Sequence, residues 1–226
     1  MLLCSKSEIL RIHKLPIITV LLIVVCYIFN PGQIKAENNC IKNYAEKTDT
    51  TGIRKKKLFS VTERGFLLGY GYGINQLNIP EGVYSPVFFV GQFGIQLGKS
   101  GLLPGAVSLV IEPQFNFVLI RSGIHNQKKF EGGIGIGLQQ IFNLTPKFKP
   151  FLRLIVGPHY ISTHTSLQHT GFLFSDNAAA GFYYFLSDKI ALQAQFRARH
   201  MSNANLVLPN HGINTSNFLV GISWFL

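Results

Sequence analysis

Near the end of the chain, in "RHMSNANLVLPNHGIN" (199–214), His200 and Ser202 stand two residues apart. An imidazole and a hydroxyl held side by side make a base and a nucleophile: the ring takes the hydroxyl proton and the oxygen attacks an electrophilic carbon. On a strand, alternate residues project from the same face with alpha carbons about 6.5–7 Å apart, so the two side chains can converge. A third group must then hold the imidazole in the right tautomer. Asn214, twelve residues after Ser202, is the candidate if the intervening segment folds back as a hairpin.

The elements that must position these residues are strands. In residues 189–200, Leu192, Ala194, Phe196 and Ala198 alternate with Gln193, Gln195, Arg197 and Arg199. Continuing the count puts His200 and Ser202 on the apolar face. The same period of two runs through 65–75, 87–98, 107–119, 130–139, 151–160 and 214–226, which is the half-buried strand signal. The run 171–185 alternates poorly around Asp176 and Asn177, where a bulge is expected. Counting back from Trp224 places Asn214 on the apolar face of the last strand.

Eight such runs are expected to close on themselves, because closure removes exposed edges. The recurring Gly-x-Gly pairs have no helix after them. They fit as space-makers inside a narrow barrel rather than as a nucleotide loop. A lipocalin-like barrel would turn its apolar face inward around a ligand. A membrane barrel turns it outward and lines its lumen with polar residues. Here the minority face carries Gln, Glu, Arg, Asn and Gly, too polar for a dry pocket. The predicted fold is therefore all-β, an eight-stranded antiparallel transmembrane barrel of the outer membrane of a Gram-negative cell.

Composition agrees. The chain is 47% hydrophobic and only 14% charged, against about 25% charged in soluble domains. Its net charge of +11 is uneven: residues 1–57 hold ten Lys/Arg against four acids. No aromatic-interleaved basic stripe is present, so nucleic acid is not an expected partner. Residues 1–36 read as a signal peptide, with Lys6, Arg11 and Lys14 before the apolar run 15–29 and a cut after Ala36; an uncleaved anchor is the alternative. Residues 37–63 read as a polar lead-in and 64–226 as the barrel. Only Cys40 would survive the cut, which leaves no disulfide framework. His159, His164 and His169 lack the flanking cysteines of a metal site. Arg121, His125, Lys128 and Lys129 form a basic outward loop suited to lipid phosphates or simply to solvent.

With both chain ends in the periplasm, the loop 201–213 faces outward. His200 and Ser202 then lie at the outer-leaflet end, on the lipid side, where the main lipid is lipopolysaccharide. Polar groups there are expensive and tend to be functional; a girdle of headgroup-facing residues is the alternative reading.

At these residues the chain resembles the lipid A 3-O-deacylase (PagL-type) family of outer-membrane acyl hydrolases. The likeness is carried by "RHMSNANLVLPNHGIN", with "IPEG" (79–82), "VIEPQFN" (110–116) and "FYYFLSDKIAL" (182–192) in support. The resemblance implies a cofactor-free, metal-free serine esterase that releases an ester-linked acyl chain, at the 3-O position, from lipid A. It implies Ser202 as nucleophile, His200 as general base, Asn203 with neighbouring backbone amides at the oxyanion, and Asn210 in substrate positioning. Where family members carry Glu, this chain has Asn214. An amide oxygen can orient the imidazole but brings no charge, and no Asp or Glu follows His200 in the sequence. A non-catalytic small barrel, structural or adhesive, is the rival function, and pairing into a homodimer is left open.

Overall fold

The computed structural model describes residues 60–74, 82–99, 105–121 and 126–226. The expected signal segment, residues 37–59 of the lead-in, most of "IPEG" and His125 lie outside them. The alternating runs form β1 (Val61–Gly73), β2 (Val83–Lys99), β3 (Gly105–Arg121), β4 (Asn126–Phe142), β5 (Phe148–Ile161), β6 (Gly171–Phe185), β7 (Ile190–Ser202) and β8 (Ile213–Phe225). Each pairs antiparallel with the next, and β8 pairs back to β1, so the sheet is a closed barrel. The strands run 13 to 17 residues, more than the roughly 9–11 that a tilted strand needs to cross a bilayer.

Alternation separates two environments. Phe66, Leu68, Tyr70, Phe115, Ile134, Leu152, Phe196 and Val220 point outward and are exposed. Tyr70, Tyr72 and Tyr160 lie toward one rim and Tyr184 and Trp224 toward the other, the arrangement of interfacial aromatic girdles. The inward side chains are polar at mid-barrel. Glu112 pairs with Arg153 at 2.5 Å and with Arg197 at 2.8 Å, and Glu131 pairs with Arg199 at 2.6 Å. Toward the rims this polar layer gives way to apolar clusters: Tyr84, Val118, Ile120, Ile161, Leu173, Met201 and Ile213 at one end, Ile141, Phe151, Tyr183 and Ala191 at the other. The lumen is thus filled, with apolar layers above and below its charges. Glycines make that filling fit: a Cβ on Gly71 would come within 2.0 Å of Asn217 Oδ1.

Two expectations are corrected. β1 starts at Val61 rather than 64, and Glu63, assigned to the lead-in, is a buried lumen residue that accepts hydrogen bonds from Tyr183 and Ser223 at 2.8 Å each. β6 has no bulge at Asp176 and Asn177; it pairs residue for residue with β5 from Ile161↔Gly171 to Phe148↔Tyr184 and stays in step with β7. The apparent break in its pattern comes from a carboxylate standing on the lipid face, between Phe174 and Ala178, not from a change of register.

Candidate active site

The hairpin β7–β8 brings His200 and Asn214 directly opposite each other. Their side chains meet: His200 Nδ1 lies 2.6 Å from Asn214 Oδ1. An amide oxygen can only accept, so the hydrogen sits on Nδ1 and Nε2 keeps its lone pair. Ser202 follows His200 on the same outward face, and all three residues are half-buried at the rim of the barrel wall. Nearby Arg197 and Arg199 point the other way, into the lumen, where the acids hold them. Among the described residues the Ser202 hydroxyl makes no hydrogen bond. Catalytic hydrogen bonds of this kind often close only around substrate.

The loop after β7 shapes the rest. Asn203–Leu206 is a tight turn closed by Leu206 N–H donating to Asn203 O at 3.1 Å, with Ala204 and Asn205 both at positive φ (53° and 63°). Asn210 clamps this turn from above: its Oδ1 accepts the Asn203 N–H at 2.8 Å and its Nδ2 donates to Asn205 Oδ1 at 2.9 Å. The buried Asn203 side chain donates to Val207 O at 2.6 Å. The structure therefore brings Asn203 and Asn210 together, as partners that hold the loop. Asn205, the third member, was not singled out by its sequence context.

Gly212 closes the loop against the imidazole. It has φ of +78°, and a Cβ there would lie 2.5 Å from His200 Cε1, so only glycine fits both the backbone and the ring. The β5–β6 connection braces the loop from outside through an isolated bridge between Gln168 and Asn210, with His169 N–H donating to Pro209 O and His211 N–H to Leu167 O, both at 2.8 Å. The exposed Leu206, Val207 and Leu208 project from the same loop.

The other histidines sit apart from this row. His159 faces the lumen 3.8 Å from Glu131, and the rings of His164 and His169 meet edge-on in the β5–β6 loop at 5.2 Å. Among the described residues no group of three His, Cys, Asp or Glu could hold a metal ion. Arg121, Lys128 and Lys129 lie on β3 and β4, across the barrel from β7.

A family model described as lipid A 3-O-deacylase (PagL) matches residues 108–223, just over half of the chain, and spans the entire row at the rim. Among solved structures, the outer membrane enzyme PagL is 18% identical, with 69% of this chain and 97% of that one covered and a TM-score of 0.49. Neisserial surface protein A is 12% identical, with 74% and 99% covered and a TM-score of 0.53. Ail of Yersinia pestis is 9% identical, with 74% and 100% covered and a TM-score of 0.43. At such identities the likeness to the Neisserial barrel is one of fold. No curated protein matches the chain.

Proposed function

Since this outer-membrane barrel belongs to the lipid A 3-O-deacylase family, we propose that it is a serine esterase that hydrolyses the acyl ester at the 3-O position of lipid A. The observation that carries the mechanism is the 2.6 Å contact of His200 Nδ1 with Asn214 Oδ1 on the lipid-facing wall. It leaves Nε2 free to act as a base beside Ser202. Ser202 Oγ attacks the ester carbonyl carbon as its proton passes to Nε2. The tetrahedral intermediate collapses, the carbon–oxygen bond to the sugar breaks, and the leaving oxygen takes the proton from the imidazolium. Water, deprotonated by the same nitrogen, then attacks the acyl-serine; the acyl carbon–Oγ bond breaks, Ser202 Oγ takes the proton back from the imidazolium, and the fatty acid leaves.

The oxyanion must meet donors at about 2.7–3.1 Å. We assign these to the Ala204 and Asn205 amides of the turn that begins at Asn203, since the Asn203 and Leu206 amides close the turn itself; Asn210 holds that turn in shape and thereby positions the substrate indirectly. The site faces lipid, so the acyl chain need not leave the membrane to reach the serine. No cofactor takes part in this scheme.

The test is mass spectrometry of lipopolysaccharide incubated in detergent with the purified protein. The intact protein should release one ester-linked acyl chain from the 3-O position. Ser202→Ala and His200→Ala should each lower the rate by at least about a thousandfold, as loss of a nucleophile or base does elsewhere. Heat-modifiable gel mobility should be retained, because neither side chain packs the lumen. Lipid A left unchanged by the folded protein would make it a non-catalytic barrel.

A further inference from the structure

We infer that Asp176 on β6 supplies the negative charge that Asn214 lacks, acting across the strands on His200 during proton transfer. This rests on the hydrolase reading above and adds to it a residue of another strand.

The register carries the inference. Asp176 pairs with His200 across β6 and β7, and His200 pairs with Asn214 across β7 and β8, so the three stand in one row. Directly opposed residues have Cβ atoms about 4.5–5.5 Å apart. The imidazole is therefore flanked by an amide on one side and a carboxylate on the other. Asp176 is half-buried on the same outward face as His200. Among the described residues it is the one acid on the outward faces of β6, β7 and β8.

Chemistry explains why an acid would stand there. A carboxylate on a lipid-facing wall is unfavourable without a cationic partner. The lumen acids have arginines or hydroxyls for this: Glu112 has Arg153 and Arg197, Glu131 has Arg199, and Glu63 has Tyr183 and Ser223. On the outer face of the three strands His200 is the group that can become a cation. Asn214 occupies Nδ1, and Nε2 is needed for Ser202. Asp176 is thus a positioning residue that works through the field it places on the ring. That field favours the imidazolium, which exists only after Ser202 has given up its proton, so it stabilises the transition state more than the ground state.

The other groups around the ring do not supply this charge. Asn214 and Ser216 on β8 are neutral, Ala198 and Ser202 on β7 are neutral, and Gly212 covers Cε1. His211 in the β7–β8 loop and His164 and His169 in the β5–β6 loop are the titratable groups above, and none of them can be an anion near neutral pH. Arg197 and Arg199 are engaged inside the barrel.

The experiment compares the parent, Asp176→Asn, Asp176→Ala, Asn214→Glu and the Asp176→Asn/Asn214→Glu double variant. All are purified in detergent and checked for heat-modifiable mobility. Two rates are read: kcat and KM for lipid A deacylation, and covalent labelling of Ser202 by a fluorophosphonate probe. Asp176→Asn and Asp176→Ala should lower kcat and labelling by about ten- to a hundredfold, the scale of one preorganised electrostatic contact, with KM little changed. Asn214→Glu should raise the rate more in the Asp176→Asn background than in the parent, because the carboxylate then replaces a missing charge. Rates equal to the parent's in both Asp176 variants overturn the inference, as does a change confined to KM. A folded parent that neither deacylates nor reacts with the probe overturns the hydrolase reading, and the inference falls with it. A parent active in both assays with indifferent Asp176 variants overturns the inference alone.

Discussion

At the residue scale the question is how an amide serves where the family carries a carboxylate. Asn214 Oδ1 holds the Nδ1 hydrogen at 2.6 Å, so orientation and tautomer are provided for. Charge is not. In a serine-protease triad, exchanging the acid for its amide costs about ten-thousandfold, mainly through the wrong tautomer. Here the oxygen faces the ring, so that penalty does not apply. Asn214→Ala removes the orienting bond and should lower kcat by about ten- to a hundredfold, measured as initial rates on purified lipopolysaccharide. Asn214→Glu should match or exceed the parent, with the gain tempered by a second carboxylate brought close to Asp176 and lipid. Equal rates for all three proteins would make the site a Ser202–His200 dyad.

At the scale of elements, the β7–β8 loop is the device that presents the site. Its shape depends on Asn210 bonded to both Asn203 and Asn205 and on Gly212 lying against His200. Gly212→Ala puts a methyl 2.5 Å from Cε1 and strains a φ of +78°. The loop must shift or the ring must turn off Asn214. Deacylation should fall by about a hundredfold or more while the barrel still assembles, since a misplaced catalytic group of about 1 Å has that cost. Asn210→Ala frees the Asn203 amide and the turn together. A smaller loss, about tenfold, is expected, with faster proteolysis within 203–212 as the independent reading. The strand pairing of this region was legible in advance, because alternation counted from Trp224 and from Leu192 fixed the faces of β8 and β7. The loop's internal bonding was not: three asparagines in ten residues do not say which oxygen meets which amide.

At the scale of the whole molecule, stability and catalysis occupy opposite faces of the same wall. The outward face carries the site among lipid-facing apolar side chains, and the inward face is locked by buried ion pairs. Glu112 holds both Arg153 and Arg197, at 2.5 and 2.8 Å. Glu112→Ala leaves two buried guanidinium groups short of a partner. Breaking a buried pair on one side costs about 3–5 kcal/mol. Urea unfolding in detergent, followed by the single tryptophan, Trp224, should register that loss. The catalytic rate of whatever fraction stays folded should change little, because Glu112 touches nothing on the outer face. An unchanged midpoint would mean that the lumen charges are dispensable to the fold.

What the amino-acid order settled by itself was whatever follows from a period of two. It determined the strands, which residues face lipid, the closed barrel, and the placing of His200, Ser202 and Asn214 on one face, because alternation is a property of neighbours along the chain. The tertiary structure decided which strands' residues stand in one row. Asp176 broke the apolar pattern of β6 just as His200 broke that of β7, yet in the sequence it reads as a bulge, 24 residues ahead of the histidine. Glu63 looked like the tail of a polar lead-in until β1 was seen to begin at Val61. Cross-strand register depends on where each hairpin turns and on what fills the lumen. Those are facts of closure, and no local pattern carries them.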